Sequence, residues 1–85
     1  MLKIGRQTNG GVVLTLSGRL GADNVGELSA MLDAEAEGAT VVLDLKDVVL
    51  VDRQAVRFLR EREGKGIVLR NCPPYIREWI ARDDN

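Results

Sequence analysis

Residues 40–59 read TVVLDLKDVVLVDRQAVRFL, and the reading of this stretch decides the fold. Apart from Thr40 and Asp44, the run from Thr40 to Leu45 is valine and leucine, the short continuous apolar pattern of a strand buried on both faces. Val48 to Val51 repeats that composition after a short linker and predicts a second, strand-like run. Asp52 then stands at an N-cap position, its carboxylate within reach of the amides of Gln54 or Ala55, so a helix starts at Arg53. A strand that delivers a capped helix start to the carboxyl edge of a sheet turns open amides and a positive dipole end outwards. Many α/β proteins place function there.

Working outwards from that stretch, the N-terminal residues alternate. Leu2 and Ile4 against Lys3 and Arg6 suit an edge strand, Asn9-Gly10-Gly11 turns the chain, and Val12, Leu14 and Leu16 resume the alternation against Thr15 and Ser17. Residues 1–17 thus predict a hairpin. After Gly18-Arg19-Leu20-Gly21 the apolar period lengthens: Val25, Leu28, Met31 and Leu32 share a helical face, Asn24 with Glu27 resembles a capping box, and Gly38 suits the turn after the helix. These signals predict a helix over about residues 24–37 and a crossover to a parallel strand at 41–45.

The helix from Arg53 to Glu63 buries Ala55, Val56, Phe58 and Leu59 and ends near Gly64-Lys65-Gly66; Ile67 to Leu69 reads as a further strand. Pro73-Pro74 opens a last helix packed through Tyr75, Ile76, Trp79 and Ile80, and Asp83, Asp84 and Asn85 read as a frayed polar end. The class is α/β: one small sandwich domain over residues 1–85, its mixed sheet a hairpin followed by parallel strands, packed with about three helices.

Composition excludes several kinds of function. A chain of 85 residues has little room for an enclosed substrate cavity, and a net charge of −1 supplies no overall field towards nucleic acid or an anionic membrane. No segment has the run of about 18 apolar residues that membrane insertion needs. The start, MLKIGRQ, lacks an apolar signal-peptide core and one cysteine forms no internal disulfide, so the expected compartment is the cytoplasm. With no histidine and one cysteine, neither the usual general base nor a zinc site is on offer, and no cofactor is implied.

Among residues that could carry chemistry, Asp44, Asp47 and Asp52 lie close in sequence, as a carboxylate site for a divalent ion would; capping and strand-end roles account for them better. Cys72, just ahead of the last helix, could have a thiol activated by the helix dipole, although a small residue in a tight corner is the simpler account. Arg53, Arg57 and Arg60 form one ridge on the second helix. It could meet an acidic partner or a phosphate, or be a solvated face with Arg57 and Glu61 paired.

The segments GVVLTLSGRL, VVLDLKDVVLVD with its following helix, and GIVLRN before a final helix resemble the STAS domain, the fold of bacterial anti-sigma factor antagonists. The most specific features are Gly18-Arg19-Leu20 closing the second strand and Asp44-Leu45 with Asp52 eight residues after Asp44. What the resemblance implies is a non-enzymatic regulatory module that binds a protein. In that family the helix opens with an Asp-Ser-Ser-Gly-like motif whose serine is phosphorylated by a partner kinase that doubles as the anti-sigma factor. Here Asp52, Arg53, Gln54 and Ala55 match the motif, so Gln54 replaces the hydroxyl and a phosphate switch, about −1.5 to −2 charge units at a helix start, has no acceptor. Gly21 also stands where the family often has an acidic residue.

The resemblance therefore implies a constitutive binder that docks the loop before the second helix and its outer face, through Asp52, Arg53, Gln54, Arg57 and Arg60, on a kinase-like anti-sigma factor. Two alternatives stay open. One is an accessory subunit of an ABC-type lipid transporter, bound to its ATPase; the other is a sensor holding a nucleotide or other small ligand at that helix start.

Overall fold

β1 (Leu2–Thr8) and β2 (Val12–Leu20) pair antiparallel, from Leu2 opposite Gly18 to Thr8 opposite Val12, which is the expected hairpin. The computed structural model describes residues 1–8, 10–35 and 37–82; Asn9 of the turn and the polar end Asp83, Asp84 and Asn85 lie outside the described residues. β2 is followed by α1 (Ala22–Asp33), β3 (Val41–Val51), α2 (Arg53–Gly64), β4 (Val68–Arg70) and α3 (Pro74–Arg82). The strands form one mixed sheet in the order β1-β2-β3-β4, with β2, β3 and β4 parallel.

One sheet face builds the core. Val12, Leu14, Leu16 and Leu20 of β2 and Val41, Leu43, Leu45, Val48 and Val51 of β3 pack with Leu28 and Leu32 of α1, Ala55, Val56, Phe58 and Leu59 of α2, and Ile76 and Ile80 of α3. Val42 is buried but stands apart from this cluster, on the other face. Each buried leucine or isoleucine contributes roughly 1.5–3 kcal/mol relative to exposure, which is why the helices need no help from a second layer.

β3 is one continuous strand, not a strand, a linker and a second run. Its 11 residues lie beside the 9 of β2, and the surplus is taken up by two register shifts, one between Thr15 and Ser17 and one between Gly18 and Arg19. Each shift inserts an extra residue on the β3 side, as a β-bulge does. For the same reason the run Val48–Val51 is not uniformly buried: Val48 and Val51 enter the core while Val49 and Leu50 are 72% and 49% exposed.

Gly18 sits at the second shift with φ +99, and a Cβ there would lie 2.4 Å from the carbonyl oxygen of Met1. Only glycine combines that backbone with so close an approach.

α1 starts earlier and ends earlier than its sequence pattern suggests. Gly21 is the N-cap and Asn24 is the third helical residue, its Oδ1 accepting from the Gly21 amide at 3.1 Å, so Asn24 closes the cap from inside rather than opening the helix. The helix ends at Asp33, where its amphipathic face ends; Ala36, in the expected C-terminal turn, lies outside the described residues, and Gly38 (φ +83) belongs to the turn before β3.

β4 begins one residue later than expected, at Val68, and on α3 Tyr75 is 47% exposed while Ile76 and Ile80 are buried and Trp79 is partly buried. The i, i+4 pair of isoleucines sets the buried stripe and leaves Tyr75 off it.

Candidate functional site

The start of α2 is built by Asp52. Its Oδ1 accepts from the Ala55 amide at 2.9 Å, the expected cap, and its Oδ2 accepts from the Ala22 amide at 2.8 Å, in the first turn of α1. The Ala55 amide above all, then that of Ala22, holds the Asp52 carboxyl below its ordinary pKa range. The two helix starts are thereby drawn onto one anion, which suits the positive ends of both dipoles.

Gly21 completes the corner. A Cβ there would come within 3.0 Å of Asp52 Oδ2 and 3.1 Å of Asp23 Oδ1. An acidic side chain at this position would crowd a carboxylate already in place, which gives Gly21 a physical reason.

The far end of the helix pair is tied by Arg62, whose guanidinium donates to Asp33 Oδ1 at 3.0 Å and Ser29 Oγ at 2.5 Å and lies over the Phe58 ring at 5.5 Å. Arg77 of α3 makes a two-pronged contact with Glu63 of α2 at 2.8 and 2.9 Å, holding the Glu63 carboxyl low. α2 is therefore braced on both flanks, towards α1 by Arg62 and towards α3 by Glu63.

Of the residues singled out in the sequence, Asp52, Arg53, Gln54, Arg57 and Arg60 are all exposed, while Ala55, Val56, Phe58 and Leu59 face inwards. The three arginines fall at i, i+4 and i+7 and share one side of α2; none of them is without a partner inside the chain. Gln54 lies in the first turn, with no serine or threonine between residues 52 and 63.

The three aspartates do not assemble into a metal site. Asp44 accepts from Asn71 Nδ2 and from the Lys46 amide, Asp52 is occupied by two helix starts, and among the described residues no group of three or more His, Cys, Asp or Glu side chains is placed to hold an ion. Cys72 is half-buried, and burial pushes its thiol pKa up against the opposing pull of Arg77, the reverse of an activated thiol.

Sequence reasoning missed Val49 and Leu50, which place an exposed apolar pair immediately before Asp52. Their composition reads as core. Only the count of 11 residues against 9 carries the signal, and it cannot be read before the two strands are known to pair.

The family model described as "Mlab, STAS domain" matches residues 5–82. No curated protein matches the chain. Among solved structures that match is a protein of the DUF3478 family with a SpoIIAA-like fold from Shewanella loihica, 14% identical, with a TM-score of 0.61 over 99% of this chain and 76% of that one. At that identity the likeness speaks for the fold alone. Among the described residues no helix is long and apolar enough to cross a membrane.

Proposed function

The chain belongs to the STAS domain family, and from that premise we propose that it is a non-enzymatic regulatory module that docks the loop before α2 and the exposed side of α2 on a protein partner. The observation that carries this reading is the state of the α2 start: Asp52 already occupies the Ala55 amide of α2 and the Ala22 amide of α1, while Arg53, Gln54 and Arg57 stand exposed around it. A nucleotide or phosphate would have to displace a carboxylate from two helix starts at once. A protein surface only has to cover it.

Binding is constitutive in this reading, because Gln54 offers no hydroxyl for a phosphate and so no added charge to expel the partner. The partner is a kinase-like anti-sigma factor. Gln54 also favours a second reading within the family, an accessory subunit bound to the ATPase of an ABC-type lipid transporter, since a partner that transfers no phosphate needs no acceptor at this position.

The test is binding of Arg53→Glu and Arg57→Glu variants to each purified candidate partner, with Arg82→Glu as the control reversal at the end of α3. A desolvated charge-assisted contact contributes roughly 1.5–3 kcal/mol, so each α2 reversal should cost about tenfold or more in affinity and the control little. Equal affinity for all three variants would sink the docking surface.

A further inference from the structure

α1, α2 and α3 all pack on the same face of the sheet, and no helix among the described residues lies on the other. A parallel sheet ordinarily has both faces covered. Here β2, β3 and β4 are parallel, and the row Val13–Val42–Val68, in register across them, points away from the helices. Val42 at its centre is only 9% exposed, and Val68 beside it is 48% exposed. A second apolar spot, the exposed pair Val49 and Leu50, lies towards the other end of β3.

The charges on this face are set apart from the rest. Each strand sends one exposed cation to it: Lys3 lies between the inward Leu2 and Ile4, and Arg19, Lys46 and Arg70 are chain neighbours of the inward Leu20, Leu45 and Leu69. None of these four makes a side-chain hydrogen bond or ion pair among the described residues, whereas every other lysine and arginine has a partner within the chain, Arg53, Arg57 and Arg60 included. Asp44 and Asp47 are the carboxylates of the face, and both keep their charge. The four cations still outnumber them, on a chain whose net charge is −1.

We propose that the helix-free face of the sheet is a second docking surface, which takes an acidic amphipathic helix of a protein partner as a third layer. The core holds without that layer, and the surface lies across the sheet from α2, so the inference goes beyond the docking reading above. Val42 and Val49 are separated by roughly 20 Å along β3, a distance that a helix laid on the strand spans in about 14 residues. Apolar side chains near the two ends of such a helix meet the valine row and the Val49–Leu50 pair. Acidic side chains between them meet the unpaired cations, each contact charge-assisted and partly desolvated. A second copy of this face would set four cations against four. Single-stranded nucleic acid would find nothing to stack on, because Phe58 belongs to α2 and Tyr75 and Trp79 to α3.

The test is titration of the 15N-labelled protein with a capped, helix-forming peptide of about 18 residues whose one face carries leucine towards both ends and glutamate between. A twin with lysine for glutamate and a scrambled peptide of the same composition run beside it. Saturable amide shifts on Val13, Val42, Asp44, Val68 and Arg70 are expected for the acidic amphipathic peptide alone, with affinity reduced about tenfold by Val68→Asp or Arg70→Glu and unchanged by Arg82→Glu. No shifts at millimolar peptide, equal binding by the lysine twin or the scrambled peptide, shifts confined to α2, or self-association abolished by Val68→Asp would overturn the proposal. So would the same amides moving with anionic vesicles or an oligonucleotide and not with the peptide. The docking reading for α2 is tested separately, by the Arg53→Glu and Arg57→Glu variants, and stands or falls without this result.

Discussion

Asp52 Oδ2 lies 2.8 Å from the amide nitrogen of Ala22, a residue 30 positions earlier in the chain. One side chain thus serves as N-cap for α2 and as acceptor for the first turn of α1. Asp52→Ala strips both helix starts of an acceptor, and a loss of about 1–2 kcal/mol is expected from the cap and the second bond together. Chemical denaturation measures it; a loss near zero would show that water replaces the carboxylate at no cost.

The same carboxyl gives stability a pH dependence of known sign. Its pKa in the folded chain is lowered from 3.8, so its contribution is fully present above that value and is lost as pH falls through the lower folded value. Asp52→Asn does not titrate and sets an amide NH2 against the Ala22 N–H. The stability gap between the natural chain and Asp52→Asn should be widest at neutral pH and narrow below pH 3.8, as urea unfolding at neutral and acidic pH can show. A gap that stays constant would contradict the bonding described.

Two glycines should respond in opposite directions to alanine. Gly18→Ala forces a side chain into a φ of +99 against the Met1 carbonyl and should destabilise by more than about 1 kcal/mol. Gly26, inside α1 with open space around its Cβ position, should stabilise by about 0.5–1 kcal/mol when replaced by alanine. Thermal melts of the two variants side by side decide both.

Incubation with ATP and a candidate serine kinase should place no phosphate between residues 52 and 63, because Ser17 and Ser29 are the only serines and neither lies on α2. Mass spectrometry of the treated chain checks this, and a phosphate mapped to α2 would refute it.

Gln54→Asp adds negative charge beside Asp52 in the first turn of α2. The helix tolerates it, since the dipole favours an anion there. Partner affinity should nevertheless fall, the added carboxylate acting as a standing substitute for the missing phosphate. Unchanged affinity of the folded variant, measured by calorimetry, would separate Gln54 from the docking surface.

The hairpin, the α2 cap and the parallel crossover were legible because each is local: alternation in Val12–Leu16, Asp52 three residues ahead of Ala55, a helical stripe between two strands. The second bond of Asp52 was not, since a contact to Ala22 depends on how two helices sit on the sheet. Nor was the outward turn of Val49 and Leu50, whose composition is that of core and whose exposure follows from strand pairing. The Gly21 position reads in sequence as a departure from a pattern; in three dimensions it is the space that the Asp52 carboxylate fills.

The two surplus residues of β3 make that strand a ruler. They meter how far the chain travels past Leu45 before Asp52 is released, and they set the phase in which Val51 enters the core. Loss of one residue between Lys46 and Leu50 would rotate everything downstream by half a pleat, turning Val51 outwards and carrying the Asp52 carboxylate away from Ala22. Exchanges of side chain in that segment leave the count intact. Length there, more than composition, is what keeps the two helix starts on one anion.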